Sequence, residues 1–382
     1  MNQVRLELSN KFNHLQTNLF PWLQEELGPL SKKQKLFVET LELIQIETFI
    51  PYSPKEPGRP EMNRIAVARA FVAKAIFNMP TTKFLLDYLK SSPTIRRLCG
   101  WERYSDIPSE STFSRAFNQF SDSQLPERLH ETLIGEYLKN QLIGHISRDS
   151  TAIIAREKPE KSKPKETVKK KRGRPKKGEE RPEKALTRLE NQSKGMSIEA
   201  MIEDLPNACN VGTKRNSKGF QNTWIGYKLH IDCTESGIPI SCLLTSASLH
   251  DSQVAIPLAE ISHKRVTNCY DLMDAAYCSP LIDAHSRSLG HIPIIDENPR
   301  RDKERKKEIE AETKAQRAAG YKTAEVVRYN ERSSVERVNG RLKDDLGGRV
   351  VRVKGAKKVM AHLMFGIVAL AASQLLSLVQ LE

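Results

Sequence analysis

The stretch Tyr329-Asn-Glu-Arg-Ser-Ser-Val-Glu-Arg-Val-Asn-Gly-Arg-Leu-Lys343 contains the most informative pattern in the chain. On one α-helix, at about 100° per residue, its Tyr329, Arg332, Glu336 and Lys343 would share an arc about 60° wide. A stripe of one acid, two cations and a phenol is too polar to face a core. The pattern favours a metal ion held beside phosphate; chance charges on an ordinary amphipathic helix are the alternative.

Length and charge restrict the class of protein. The chain has 382 residues, enough for two domains, and a formal net charge of +14. This charge predicts a polyanionic partner such as nucleic acid. Residues 156–187 carry 14 Lys or Arg against 6 Asp or Glu, which is more than half of the net charge.

Cysteine usage and the apolar segments predict a cytoplasmic protein. The six cysteines are scattered, without a C-x-x-C pair, which favours a reducing cytosol and disfavours structural zinc. The N-terminus has no apolar signal-peptide core. The run 362–379 is apolar and long enough to span a membrane, but His362, Gln374 and two serines favour a buried helix packed on a sheet. We therefore expect no membrane partner.

The first third of the chain has apolar residues at helical spacing. Helices are predicted over 35–50, 63–78 and 81–91, and another begins near Thr112, after serines that could cap it. We interpret residues 1–138 as an all-helical N-terminal domain whose last helix could be a recognition helix. Plain helical packing, without a recognition helix, is the alternative.

From residue 139 the pattern changes to strands alternating with helices. Predicted strands cover 141–154, 223–233, 239–246, 268–275 and 291–295, and the second and third form a hairpin at Ser236-Gly237. Predicted helices cover 251–261, with Asp251 as the N-cap, 280–288, 301–319, the stretch from Tyr329, and the apolar C-terminal run. This mixed α/β order resembles an RNase H-like fold over 139–382, a mixed sheet flanked by helices. The basic segment at about 156–222 is predicted to be a flexible insertion outside the packed core.

The spacing Y-x2-R-x3-E-x6-K resembles the signature around the last acidic residue of DDE transposases from bacterial insertion sequences. Two other motifs extend the resemblance. Asp149, in Asp-Ser-Thr-Ala-Ile, is similar to the first aspartate motif of that family, and Asp274, followed three residues later by Tyr277, is similar to the second. Glu336 is the acid of the signature itself. The resemblance implies that Asp149, Asp274 and Glu336 are catalytic and hold two Mg²⁺ ions, for which Mn²⁺ can substitute.

The two aspartates have rivals. Asp has a low propensity for strands, so its presence in an Ile-rich strand favours a functional role for Asp149. The alternative is a structural role, as a strand-end Asp bonded to Ser150 or Thr151. Asp271 competes with Asp274, but on a strand it would face the opposite side of the sheet. Ala275-Ala276 replaces the Lys/Arg-Gly common in the family.

His250-Asp251 is also similar to a family motif. We interpret it as a helix cap with a buried or orienting histidine, and the alternative is a catalytic role.

Several basic and aromatic residues are candidates for DNA contact. In the family, residues that match Tyr329, Arg332 and Lys343 are implicated at the DNA backbone near the cut; the alternative for Arg332 is an i,i+4 ion pair with Glu336 that forms only without metal. Arg172-Gly-Arg174-Pro resembles an AT-hook for the minor groove, although any flexible basic linker binds DNA through counterion release. Arg349 and Arg352 begin a second basic patch, with a merely solvated basic face as the alternative.

Taken as a whole, the resemblance implies a transposase, in which the helical N-terminal domain binds the DNA ends or mediates dimerisation. Such an enzyme cleaves the ends of an insertion sequence and joins the freed 3′-hydroxyl to target DNA. Its partners would be double-stranded DNA, both terminal inverted repeats and target, and a second copy of the chain as a homodimer on DNA. A catalytically silent DNA-binding protein derived from a transposase, and a stand-alone RNase H-like nuclease, are the alternatives.

Overall fold

The computed structural model describes residues 2–51, 62–160, 185–215, 219–297, 299 and 302–380. Arg172 and Arg174, with the AT-hook-like motif, lie outside these ranges.

In the described part of residues 1–138 every regular element is a helix, as predicted. Three of the predicted helices are found within a few residues of their expected bounds. The helices are α1 (Asn2–His14), α2 (Phe20–Leu27), α3 (Lys32–Ile44), α4 (Arg64–Ile76), α5 (Thr82–Ser91), α6 (Pro93–Cys99), α7 (Glu110–Asp122) and α8 (Leu125–Leu138). The predicted helix over 35–50 ends early because Gln45 adopts a left-handed conformation with φ 42°.

One mixed sheet follows, and its topology is RNase H-like, as predicted. Its strands are β1 (Leu142–Ile154), β2 (Asn210–Arg215), β3 (Gln221–Thr234), β4 (Pro239–Ser246), β5 (Thr267–Met273) and β6 (Ile292–Ile295). The central strands lie in the order β4, β3, β1, β5, β6. The pairs of β1 with β3 and of β3 with β4 are antiparallel, whereas β5 and β6 run parallel to β1.

The helices of this second part are α9 (Arg188–Ser193), α10 (Ile198–Asp204), α11 (Ala255–Arg265), α12 (Pro280–Ser288), α13 (Lys303–Ala319), α14 (Ala324–Asn330), α15 (Ser333–Asp345) and α16 (Ala356–Gln380). The prediction of a flexible insertion at about 156–222 is corrected here in two respects. The insertion is not all outside the core, because Leu205, after α10, packs with Val254 and Leu258. The strand β2 also lies in the insertion and pairs with the first half of β3.

The predicted single helix from Tyr329 to Lys343 is two helices. The helix α14 ends at Asn330, and α15 begins at Ser333, with Arg332 as its N-cap. Between them the amides of Ser334 and Val335 bond three residues back, to Glu331 and Arg332. Asn and Ser compete with helical hydrogen bonds, which explains why a break occurs here.

The C-terminal helix α16 joins the two halves of the molecule. It is long and apolar enough to cross a membrane by length and composition alone, yet most of it is buried in the protein. It packs against α3, α4, α7 and α8 as well as against β4. One continuous hydrophobic cluster consequently runs from the N-terminal helices through α16 to the sheet. A division into two domains after residue 138 remains a prediction.

Candidate active site

Asp149, within β1, and Asp274, directly after the end of β5, lie side by side. They follow Arg148 of β1 and Met273 of β5, which are paired in the parallel register. Neighbouring strands are about 4.8 Å apart, so the two aspartates emerge on adjacent strands at one level. The Asp274 carboxylate also caps the short turn after β5, where its Oδ1 accepts from the Ala276 amide at 2.9 Å.

The pKa of Asp149 is raised to about 6. Burial is the largest cause, because it penalises the charged form, and repulsion from Asp274 adds to it. A hydrogen bond from the Ser150 amide and the charges of Lys214 and Arg332 act in the opposite direction. A cation bound beside Asp149 would favour the charged form of the carboxyl and so offset the penalty of burial.

The helix α15 is fixed on the same face of the sheet by small polar side chains. Ser147 of β1 and Cys233 of β3 are directly paired, two residues before Asp149 along β1. The Ser334 hydroxyl donates to Ser147 Oγ at 3.0 Å and lies 3.6 Å from Cys233 Sγ. All three are fully buried. This contact sets the distance of the first turn of α15 from the strand that carries Asp149.

The next turn of α15 faces the aspartates. Asn339 donates from Nδ2 to Asp149 Oδ2 at 3.4 Å. Glu336 lies one turn earlier on the exposed side of the helix and accepts from Arg332 Nη2 at 2.7 Å. This is the i,i+4 ion pair that the sequence allowed for. The charge of Arg332 also interacts with Asp149 and Asp274, so one guanidinium lies among the three acids.

The structure therefore brings two of the three predicted acids together and turns the third away. Among the residues that the structure describes, no three His, Cys, Asp or Glu side chains are grouped closely enough to hold a metal ion. Asp149 and Asp274 are neighbours, whereas Glu336 is paired with Arg332 instead of with them.

Tyr329 lies at the end of α14, not on α15, but it is still close to the site. Its ring is 5.8 Å from the Arg332 guanidinium carbon. Burial raises the pKa of its hydroxyl, Arg332 opposes the shift, and Asp296 and Asp274 add to it. Tyr329 is thus near the aspartates even though the helix breaks after Asn330.

A group of cations borders Asp149 on the other side. Burial lowers the pKa of Lys343, and the charges of Arg349 and Lys214 lower it further. Arg349 also donates from Nε to Asp344 Oδ1 at 3.0 Å, while Arg352 is exposed. The sequence had not indicated Lys214. It belongs to β2, in the insertion, and only the pairing of β2 with β3 brings it to the site.

Asp271, the rival of Asp274, lies on the reverse face of the sheet, as strand alternation predicts. It is 2% exposed and accepts from Ser286 Oγ at 2.7 Å and from Asn268 Nδ2 at 3.0 Å. His291 Nδ1 lies 3.2 Å away. These bonds occupy Asp271 in a buried network.

The segment after β4 starts its helical turn differently from the prediction. His250, not Asp251, is the N-cap, and its side chain accepts from the Ser252 amide at 3.4 Å. Asp251 instead accepts from Lys228 Nζ at 2.9 Å. The histidine is exposed, so the cap interpretation is right but a buried ring is not found.

Comparison with known families gives two matches. Residues 207–372 match the family described as "Transposase DDE domain", and residues 25–119 match "Transposase domain (DUF772)". The chain belongs to the DDE transposases of insertion-sequence type. The first match includes Asp274 and Glu336 and begins after β1, so Asp149 lies outside it. DDE transposases generally use divalent metal ions. No curated protein and no solved structure matches the chain.

Proposed function

We propose that this transposase cleaves the ends of an insertion sequence and joins the freed 3′-hydroxyl to target DNA. We assign Asp149, Asp274 and Glu336 as the catalytic acids. The observation that supports this most is the position of Asp149 and Asp274, which follow paired residues of adjacent parallel strands under α15. In this arrangement two carboxylates from distant parts of the chain meet the helix that carries Glu336.

The residues present fit divalent metal ions. Asp149 and Asp274 supply hard oxygen donors, and burial raises the pKa of Asp149 to about 6. The Arg332 guanidinium already interacts with all three acids, so a cation is accommodated among them. Two Mg²⁺ or Mn²⁺ ions held there would activate the attacking oxygen and stabilise the leaving oxygen.

The chain's own residues would orient the acids and the DNA. Asn339 holds the Asp149 carboxylate through its amide. Glu336, whose side chain is 58% exposed, would have to exchange its bond to Arg332 for the metal site. Arg332 then becomes available to a phosphate oxygen, for which a guanidinium is a bidentate donor.

We further propose that the cations around the acids bind the DNA backbone. Tyr329, Arg332 and Lys343 border the site directly, and Arg349 lies beside Lys343. Arg352 is exposed three residues further on. Arg172 and Arg174 are proposed to contact the minor groove of the same DNA. Because two ends must be joined to one target, we propose a homodimer on DNA, acting at the nucleoid in the bacterial cytoplasm.

A cleavage assay on a plasmid that carries the DNA flanking the gene tests the assignment. We expect cuts at the element ends with Mg²⁺ or Mn²⁺ and none with EDTA. Asp149→Asn, Asp274→Asn and Glu336→Gln should each abolish cutting and keep gel-shift binding. Asp345→Asn, an exposed acid at the end of α15, is the matched control and should cut normally.

The outcomes separate the alternatives. Full cleavage by any of the three acid variants would contradict their assignment. Binding of end DNA without any metal-dependent cut would favour the silent DNA-binding protein. Cutting without joining of a pre-cut end to a second duplex would favour the stand-alone nuclease.

A further inference from the structure

Arg148 lies directly behind the two aspartates, on the reverse face of the sheet. Its side chain is fully buried, with 1% of the residue exposed, although arginine is almost never buried unless it is paired. On β1 it precedes Asp149, and it is in register with Asp232 of β3 and Met273 of β5. One side chain therefore spans three strands at the level where Asp149 and Asp274 leave the other face.

The contacts of Arg148 connect these strands. Its Nε and Nη2 donate to the two oxygens of Asp232, at 2.8 Å and 2.7 Å, in a bidentate pair. Its third nitrogen, Nη1, lies 3.4 Å from Met273 Sδ, one residue before Asp274. Ser262 of α11 donates to Asp232 Oδ2 at 2.6 Å and so holds the acceptor in place.

Stability alone does not account for this pair. Removing two charges from water costs as much as or more than their attraction returns, and apolar side chains of similar volume often serve as well. An apolar pair, however, makes no directional hydrogen bonds. The planar guanidinium fork fixes the angle and offset of the strands it bridges. Register matters here, because a slip of one residue would turn Asp149 to the wrong face of the sheet.

We propose that Arg148 is a positioning residue for the acids on the opposite face. Its bonds to Asp232 and its contact with Met273 hold β1 against β3 and β5, so that Asp149 and Asp274 stay at one level. This inference rests on the proposed function, since it assumes that those two acids bind metal.

The test separates geometry from stability by replacing the whole pair. The double variant Arg148→Met/Asp232→Leu removes both charges together and should unfold in urea at the wild-type midpoint. Mn²⁺ binding to the full chain without DNA, followed by electron paramagnetic resonance, should nevertheless weaken at least about tenfold. Cleavage of end DNA should fall about 100-fold.

Two further variants complete the comparison. Arg265→Met is the matched control, because Arg265 is a largely buried arginine of α11 that donates to the Ile240 carbonyl at 2.8 Å, away from the acids. Its loss should destabilise the protein and leave Mn²⁺ affinity unchanged. Arg148→Lys keeps the charge but loses the planar guanidinium. It should fold and bind Mn²⁺ several-fold more weakly than the wild type. If the double variant does not fold, this single variant tests the positioning role.

The results distinguish this inference from the proposed function. Wild-type Mn²⁺ affinity and cleavage in a folded double variant, or in Arg148→Lys if the double variant does not fold, would overturn the positioning role alone. A wild-type protein that binds no Mn²⁺ would overturn both. Equal weakening in the Arg265→Met control would also overturn the positioning role, since it would show a general effect of destabilisation.

Discussion

Replacing Asp149 by Asn should make the metal-free protein more stable above neutral pH. The pKa of Asp149 is raised from 3.8 to about 6, chiefly by burial, so the folded state holds its proton more tightly than the unfolded state. This rise in the pKa corresponds to about 3 kcal/mol. Wild-type stability is lost by this amount as the pH rises from about 4 to about 6, and the deficit is constant above that.

Urea denaturation of both proteins across this range measures the effect. Other groups also titrate, but the difference between the two proteins isolates one carboxyl, because Asn has no proton to lose. We expect the variant to exceed wild type by under about 1 kcal/mol near pH 4 and by about 3 kcal/mol above pH 7. Adding Mn²⁺ should stabilise only the wild type.

A difference that does not change with pH would refute the reasoning. It would mean that the pKa of Asp149 in the folded protein is close to its ordinary value and that burial does not destabilise its charged form. A difference that shrinks as the pH rises would be a stronger contradiction, since it would require an Asp149 carboxylate stabilised by the fold.

Three further substitutions probe the surroundings of the site. Ser334→Ala should leave the buried Ser147 hydroxyl without its donor and lower the free energy of unfolding by about 2 kcal/mol, measured by urea denaturation. An unchanged midpoint would show that this contact does not hold α15 on the sheet. Gly226→Ala should lower the melting temperature, at a cost of about 2 kcal/mol, because Gly226 has φ 151° and an added Cβ would collide with the Ile153 carbonyl. Lys214→Ala should reduce the slope of log binding constant against log salt by about 1 in DNA titrations, and an unchanged slope would place Lys214 away from phosphate.

Elements with strong local signals could be predicted from the sequence. The bounds of β4 and α12 were predicted to the residue, because a Ser-Gly turn precedes one and Pro280 begins the other. The position of Asp274 opposite Asp271 followed from strand alternation. The joint role of Asp149 and Asp274 was implied by the family resemblance, whereas the parallel pairing of β1 with β5 that brings them together was not predicted.

Features that depend on distant contacts could not be predicted. The break after Asn330 does not disturb the spacing of the polar stripe, so helical periodicity did not indicate it. The contact of Ser334 with Ser147 joins residues 187 positions apart. The composition of the basic segment that contains Lys214 suggested disorder. In the structure, however, a β-hairpin brings Lys214 near Asp149.

The position of α16 determines when the shared hydrophobic core can form during synthesis at the ribosome. The helices α3, α4, α7 and α8 emerge long before α16, with the whole sheet region synthesised in between. Until α16 arrives, these nascent helices expose the apolar surface that it will cover, including Phe71, whose ring is 5.8 Å from that of Phe365 in the finished protein. We therefore expect a chain interrupted before residue 356 to keep this surface exposed and to be a target for chaperones and proteases.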